Sequence, residues 1–138
     1  YWQNLWIRVG GTSDSGLDTG ARYSSTVLST VNSGSPVSSN ATGQTKWAYQ
    51  YIAAATVLAD TFSTLKIWIP NYSNAANFKQ VIIQTAVENN VTTGSQWNLT
   101  QTAGLWADQE AITDIGVSEP NGGMIQYSSF TLYGITGA

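Results

Sequence analysis

Residues 124–135 read MIQYSSFTLYGI, and no other stretch of the chain constrains its fold as strongly. Tyr127, Phe130, Leu132, Tyr133 and Ile135 are aromatic or branched, and neither Gly nor Pro interrupts the run before Gly134. Such a composition predicts a long β-strand. Both of its parities are apolar, with Ile125, Tyr127, Tyr133 and Ile135 on one and Met124, Phe130 and Leu132 on the other. A strand with two apolar faces needs cover on each, which predicts a central strand between two layers. Residues 111–117 (AITDIGV) read as its partner. Pro120 and the Asn121-Gly122-Gly123 run read as the turn between them, so the chain is expected to close with a β-hairpin.

The same period of two recurs along the chain. In residues 2–9 (WQNLWIRV), Leu5, Ile7 and Val9 share one parity, while Trp2, Asn4, Trp6 and Arg8 share the other. Residues 21–31 are rich enough in Thr and Val for a strand. Residues 32–44 (NSGSPVSSNATGQ) read as a polar loop. Residues 46–52 (KWAYQYI) alternate Trp47, Tyr49 and Tyr51 against Lys46, Ala48, Gln50 and Ile52, and residues 53–60 are the one stretch that suits a short helix. Residues 63–69 (STLKIWI) place Leu65, Ile67 and Ile69 inward and Lys66 and Trp68 outward, and residues 78–88 set Val81, Ile83 and Val87 on one parity with Lys79 and Thr85. Residues 96–108 form a further strand, with Gly104 expected at a bulge or bend. About eight strands with little helix predict an all-β, two-sheet antiparallel sandwich of jelly-roll-like type, filling residues 1–138 as one domain.

Composition narrows what such a domain does. The chain has 138 residues with no Cys and no His, so disulfides, the usual zinc ligand sets and a Cys or His nucleophile or base are excluded from it. Charged residues are only 9% and the net charge is -3, with the five basic residues dispersed at Arg8, Arg22, Lys46, Lys66 and Lys79. Phosphate binding needs a clustered positive footprint, so neither nucleic acid nor an anionic membrane surface is an expected partner. No apolar run has the length of a membrane-spanning helix, which argues against membrane insertion. The opening Tyr1-Trp2 runs straight into strand-like sequence, and the chain is expected to be the later part of a longer one.

Three sets of residues are candidates for a site. Trp2, Trp6 and Trp68 lie on the parity opposite their strands' aliphatic residues, with Tyr72 just beyond the last of them. An indole joins large apolar area to one polar donor, which suits a protein interface or a sugar ring, although such rings also pack beneath a neighbouring loop. Asp14 and Asp18, in a Ser- and Gly-rich loop, offer the hard oxygens that calcium prefers but lack a third acid and the ordered spacing of a calcium loop. Polar turn chemistry accounts for them more simply, and no metal or other cofactor is expected. Asp108, Glu110 and Asp114 are the carboxylates a glycan-cleaving site would draw on, since that chemistry needs two facing acids. Without a motif around them they read as loop acids. The sequons at Asn40, Asn71, Asn90 and Asn98 are near the number chance provides in a Ser- and Thr-rich chain.

Residues 104–106 (GLW), 111–115 (AITDI) and above all 126–135 (QYSSFTLYGI) carry a resemblance. Together they resemble the C-terminal pattern of a jelly-roll-like β-sandwich domain found in structural proteins of tailed bacteriophages, and the likeness extends from about residue 46 onward. That resemblance implies a non-enzymatic virion component, of the tail-fibre, appendage or capsid-decoration type, engaged in assembly or host attachment. Its implied partners are other virion proteins, itself as a homo-oligomer (a trimer, by analogy with phage appendages), and a host surface glycan. A carbohydrate-binding, lectin-like module is the alternative from the residues alone, and it predicts exposed Trp68 and Tyr72 beside Asn and Gln in a groove. A glycan-cleaving enzyme is the second alternative, and it predicts Asp108 or Glu110 facing Asp114.

Overall fold

The computed structural model describes residues 2–31, 34–54, 57, 60–89, 97–120, 124 and 126–135, with only the backbone of Trp2. Eight strands follow one another, and no helix lies among the described residues: β1 (Trp2–Gly11), β2 (Tyr23–Val31), β3 (Val37–Gln44), β4 (Trp47–Ala53), β5 (Thr64–Trp68), β6 (Lys79–Val87), β7 (Asn98–Trp106) and β8 (Ile112–Ser118). They form a three-stranded sheet, β4-β1-β8, and a five-stranded sheet, β3-β2-β7-β6-β5, with every pairing antiparallel. The first strand pairs with the last and the second with the seventh, which is the nesting of a jelly roll. The inner strands depart from it, because β5 and β6 pair with each other while β3 joins β2 and β4 joins β1. Half of the residues of the suggested helix over 53–60 lie outside the described residues, and Ala53 ends β4.

Alternation decides which side chains meet between the sheets. From β1 come Leu5, Ile7 and Val9 and from β6 come Val81 and Ile83, joined by Tyr23, Trp47 and Trp106 in one buried cluster. Each large ring removes about 200 Å² from water, worth about 5 kcal/mol against an extended chain. The Tyr23 and Trp47 rings meet edge to face, with centroids 5.0 Å apart and planes at 85°. The Trp47 indole N–H donates to the Ser24 carbonyl at 3.1 Å, so the ring is held at its polar edge as well as by the Tyr23 contact.

Four expectations are corrected. Gly104 makes no bulge, since β7 runs in unbroken register against both β2 and β6. It is a glycine because Trp47 lies across it: a Cβ there would stand 2.6 Å from the indole nitrogen and 2.6 Å from Val81 Cγ1. The three aromatics of β4 do not share a face. Tyr49 sits at φ 65°, and the β1–β4 register shifts between Leu5 and Ile7. Through this bulge Trp47 and Gln50 both point inward, whereas Tyr49 is exposed. Residues 37–44, expected as loop, form β3, a polar edge strand paired to β2 alone and exposed along almost its whole length. Finally, residues 126–135 are not a central strand. They carry no regular structure, and Tyr127, Leu132 and Tyr133 are 80%, 81% and 82% exposed. The turn expected at residues 121–123 lies outside the described residues.

The inward face of the five-stranded sheet is only partly apolar. Lys79, Thr85, Asn98, Thr100 and Thr102 are buried there, and Gln50 faces them from β4. Gln50 Nε2 donates to Thr102 Oγ1 at 2.9 Å, and Thr100 Oγ1 donates to Asn98 Oδ1 at 2.6 Å. Lys79 Nζ donates to the Asn77 carbonyl at 2.6 Å, and burial pushes its pKa below the usual lysine value. The Thr85 hydroxyl has no hydrogen-bond partner among the described residues.

Candidate functional site

The outward face of the five-stranded sheet is assembled by register. Trp68 on β5 stands opposite Ile82 on β6, and Ile82 opposite Ala103 on β7. The next row runs Lys66, Gln84, Gln101 and Leu28, and the row beyond it Thr64, Ala86, Leu99 and Thr30. Trp68, Ile82, Leu28 and Leu99 are exposed, and Lys66 is the one charged side chain in these rows. Lys66, Trp68, Ile82, Gln84 and Gln101 line a shallow depression of about 410 Å³. A neighbouring depression of about 450 Å³ is lined in part by Leu28, Lys66, Leu99 and Gln101. Chemically this is an indole platform flanked by two primary amides and one ammonium group. Such a face buries apolar area with little charge to desolvate, and its amides offer paired donors and acceptors.

The other aromatic candidates are not brought to this face. Trp6 projects from the outside of the three-stranded sheet, half-buried under two cations: Lys46 Nζ lies 4.1 Å and the Arg8 guanidinium carbon 5.7 Å from its ring. Those contacts occupy the ring within its own domain. Tyr72 is exposed beyond the end of β5; its carbonyl accepts from the Ile112 N–H at 2.8 Å, and its hydroxyl lies near Gly134. The Trp2 side chain lies outside the described residues. Trp6 and Trp68 therefore occupy opposite outer faces and make no single row. Gln84, Gln101 and Ile82 were not singled out from the sequence, though their outward parity on β6 and β7 was the available signal.

The loop acids are committed to structure. Asp18 is 4% exposed. Its Oδ2 accepts from the Trp106 indole N–H at 2.7 Å and its Oδ1 from the Gly20 N–H at 2.6 Å, with the Arg22 guanidinium 3.7 Å away. Asp14 Oδ2 accepts from the Gly11 N–H at 3.0 Å, closing its own turn. Among the described residues, no group of three metal-ligating side chains gathers. Asp108 pairs with Arg22, and Asp114 accepts from the Thr113 hydroxyl at 2.8 Å. Glu110 accepts from the Ser13 hydroxyl and, at 2.7 Å, from the Ser13 N–H, bonds that hold its carboxyl below the ordinary value. A general acid needs the opposite shift. None of the three lines either depression.

Fold and surface together define an antiparallel β-sandwich with a low-charge outer face that exposes Trp68. No family model, no curated protein and no solved structure matches this chain.

Proposed function

We propose that this domain is a non-enzymatic structural and recognition component of a bacteriophage virion, of the tail-fibre, appendage or capsid-decoration type, acting in assembly or host attachment. The observation that carries the reading is the outer face of the five-stranded sheet, where Trp68, Ile82, Leu28 and Leu99 stand exposed around Gln84 and Gln101 with Lys66 as the one charge. Faces of this kind bury well against a protein neighbour, with Trp as the central anchor. The sequence resemblance over 104–135 supplies the virion context, and a homotrimer is the assembly it suggests. The test is the mass in solution by light scattering, for the chain and for Trp68→Ala. A trimer that the substitution loosens at least tenfold supports the proposal, and a monomer indifferent to it counts against self-assembly through this face.

A carbohydrate-binding reading is second, favoured by one observation: Trp68 shares its depression with Gln84 and Gln101, the stacking platform and amides a sugar needs. A glycan array run on the same two proteins decides it, since signals lost with Trp68→Ala would move the assignment to a lectin-like module. Catalysis has less support, because each candidate carboxylate is held by its own neighbours away from this face.

A further inference from the structure

The five basic residues are dispersed in the sequence, yet the fold brings two of them onto one ring. Leu5, Ile7 and Val9 face the core, so Trp6 and Arg8 project together from the outer face of the three-stranded sheet. Lys46 joins them from the position just before β4, because Ile7 stands opposite Trp47 in the β1–β4 register. All three side chains are half-buried. Lys46 Nζ and the Arg8 guanidinium carbon lie 4.1 Å and 5.7 Å from the Trp6 ring centroid, so the two charges stand no farther apart than a Debye length of about 10 Å.

The ring orders these cations without neutralising them. An indole face attracts a cation through its quadrupole and carries no charge of its own. Arg8 Nε donates to the Thr45 carbonyl at 3.1 Å, which fixes the guanidinium plane and leaves both Nη groups for another acceptor. Among the described residues, neither Arg8 nor Lys46 pairs with a carboxylate, and both ion pairs belong to Arg22. Asp114 stands opposite Gly10, one outward place beyond Arg8, and accepts from the Thr113 hydroxyl; Asp14 accepts from the Gly11 N–H. In a chain of net charge -3, two positioned cations without a carboxylate make a locally positive place.

We infer that Trp6, Arg8 and Lys46 form a binding site for a doubly charged tetrahedral oxyanion, a sulfate or phosphate group on a small ligand. The Nη side of the guanidinium is a planar fork that suits two oxygens of one group, and the ammonium gives a point charge to a third. Two positive charges match one dianion, whereas a carboxylate leaves one of them uncompensated. They are too few for a polyanion, since nucleic acid and anionic membrane surfaces need a longer basic footprint. The indole stands where a carboxylate would otherwise hold the two cations, so they are ordered before the ligand arrives. This face is opposite that of Trp68, and the site is independent of what Trp68 binds.

Proton–nitrogen correlation NMR on the labelled chain tests it, with sodium sulfate, inorganic phosphate and sodium acetate titrated at constant ionic strength. The Trp6 indole N–H and the Arg8 Nε–H are the probes. The expected result is a saturable shift of both with sulfate or phosphate, about tenfold tighter than with acetate, which meets one charge fewer. The tighter of the two dianions names the group the ligand carries, and a tie marks a site that takes either. Arg8→Gln and Lys46→Gln should each weaken binding about tenfold, the loss of one charge-assisted partner. Trp68→Ala and Lys66→Gln should leave it unchanged. If Arg8→Gln fails to fold for want of its Thr45 bond, Lys46→Gln gives the same reading. Shifts that rise without saturating, that acetate matches, or that persist undiminished in Lys46→Gln overturn the site.

Discussion

Asp18→Asn separates a structural carboxylate from a calcium ligand. The substitution keeps shape and removes charge in a site where both oxygens already accept, one from the Trp106 indole N–H at 2.7 Å and one from the Gly20 N–H at 2.6 Å. An amide has one acceptor, so whichever way it turns, its NH2 confronts one of those N–H groups. Hydrogen bonds to an ionised partner contribute about 1.5–3 kcal/mol each, and a buried donor left unpaired costs about 1–3 kcal/mol. Trp106 is fully buried, so water does not replace the lost partner. The net loss is therefore about 3 kcal/mol. The Arg22 contact adds little, since Arg22 is exposed and screened. With an unfolding entropy of about 2.1 cal/mol/K per residue, a chain of 138 residues loses about 10 °C in melting temperature. Differential scanning calorimetry measures this in EDTA and in millimolar calcium. An unchanged melting temperature for Asp18→Asn would refute the structural role. A calcium-dependent rise in the parent protein that the variant loses would restore the metal.

Two further outcomes follow from buried polar groups. Thr85→Val replaces a buried, unpartnered hydroxyl by a methyl of the same shape, and should raise stability by about 1–2 kcal/mol in urea unfolding with no change in slope. Tyr23 is fully buried, its hydroxyl accepting from the Val9 N–H at 3.1 Å and donating to the Val9 carbonyl at 2.9 Å, and burial pushes its pKa up to about 12. The folded state thus holds this proton more tightly than the unfolded chain, whose tyrosine titrates near pH 10. Its contribution is complete below about pH 10 and is lost as pH rises through the folded value. Melting temperatures from pH 7 to pH 11.5 should fall more steeply for the parent than for Tyr23→Phe, and parallel curves would contradict the account.

Much of the fold could be read from the residues because strands β1, β5 and β6 bury one parity and expose the other. Leu5, Ile7 and Val9, or Val81 and Ile83, announce a face without reference to any partner. β3 could not be read so, since it buries almost nothing; its Ser, Asn and Thr residues write no alternation, and its strand form comes from pairing with β2. The bulge at Tyr49 hid the true facing of β4, because one extra residue sends Gln50 inward where an aromatic was expected. Gly104 looked like an irregularity because the ring that needs its space lies far off in the sequence, at Trp47. At the site, the outward set of Trp68 was legible, whereas its company was not. Gln84 and Gln101 reach it through register between β5, β6 and β7, and register is a property of paired strands. The segment 126–135 has the composition of a strand and in this chain has no partner strand among the described residues.

The buried polar lining of the five-stranded sheet also shapes how the protein responds to temperature. Thr85, Asn98, Thr100, Thr102 and Gln50 sit where most sandwiches place Val and Leu. On unfolding, hydrated apolar surface raises the heat capacity, whereas newly exposed polar surface lowers it. This chain should therefore unfold with a heat-capacity increment below the usual 12–15 cal/mol/K per residue. Its stability curve is correspondingly flat and broad, falling away slowly toward both cold and heat.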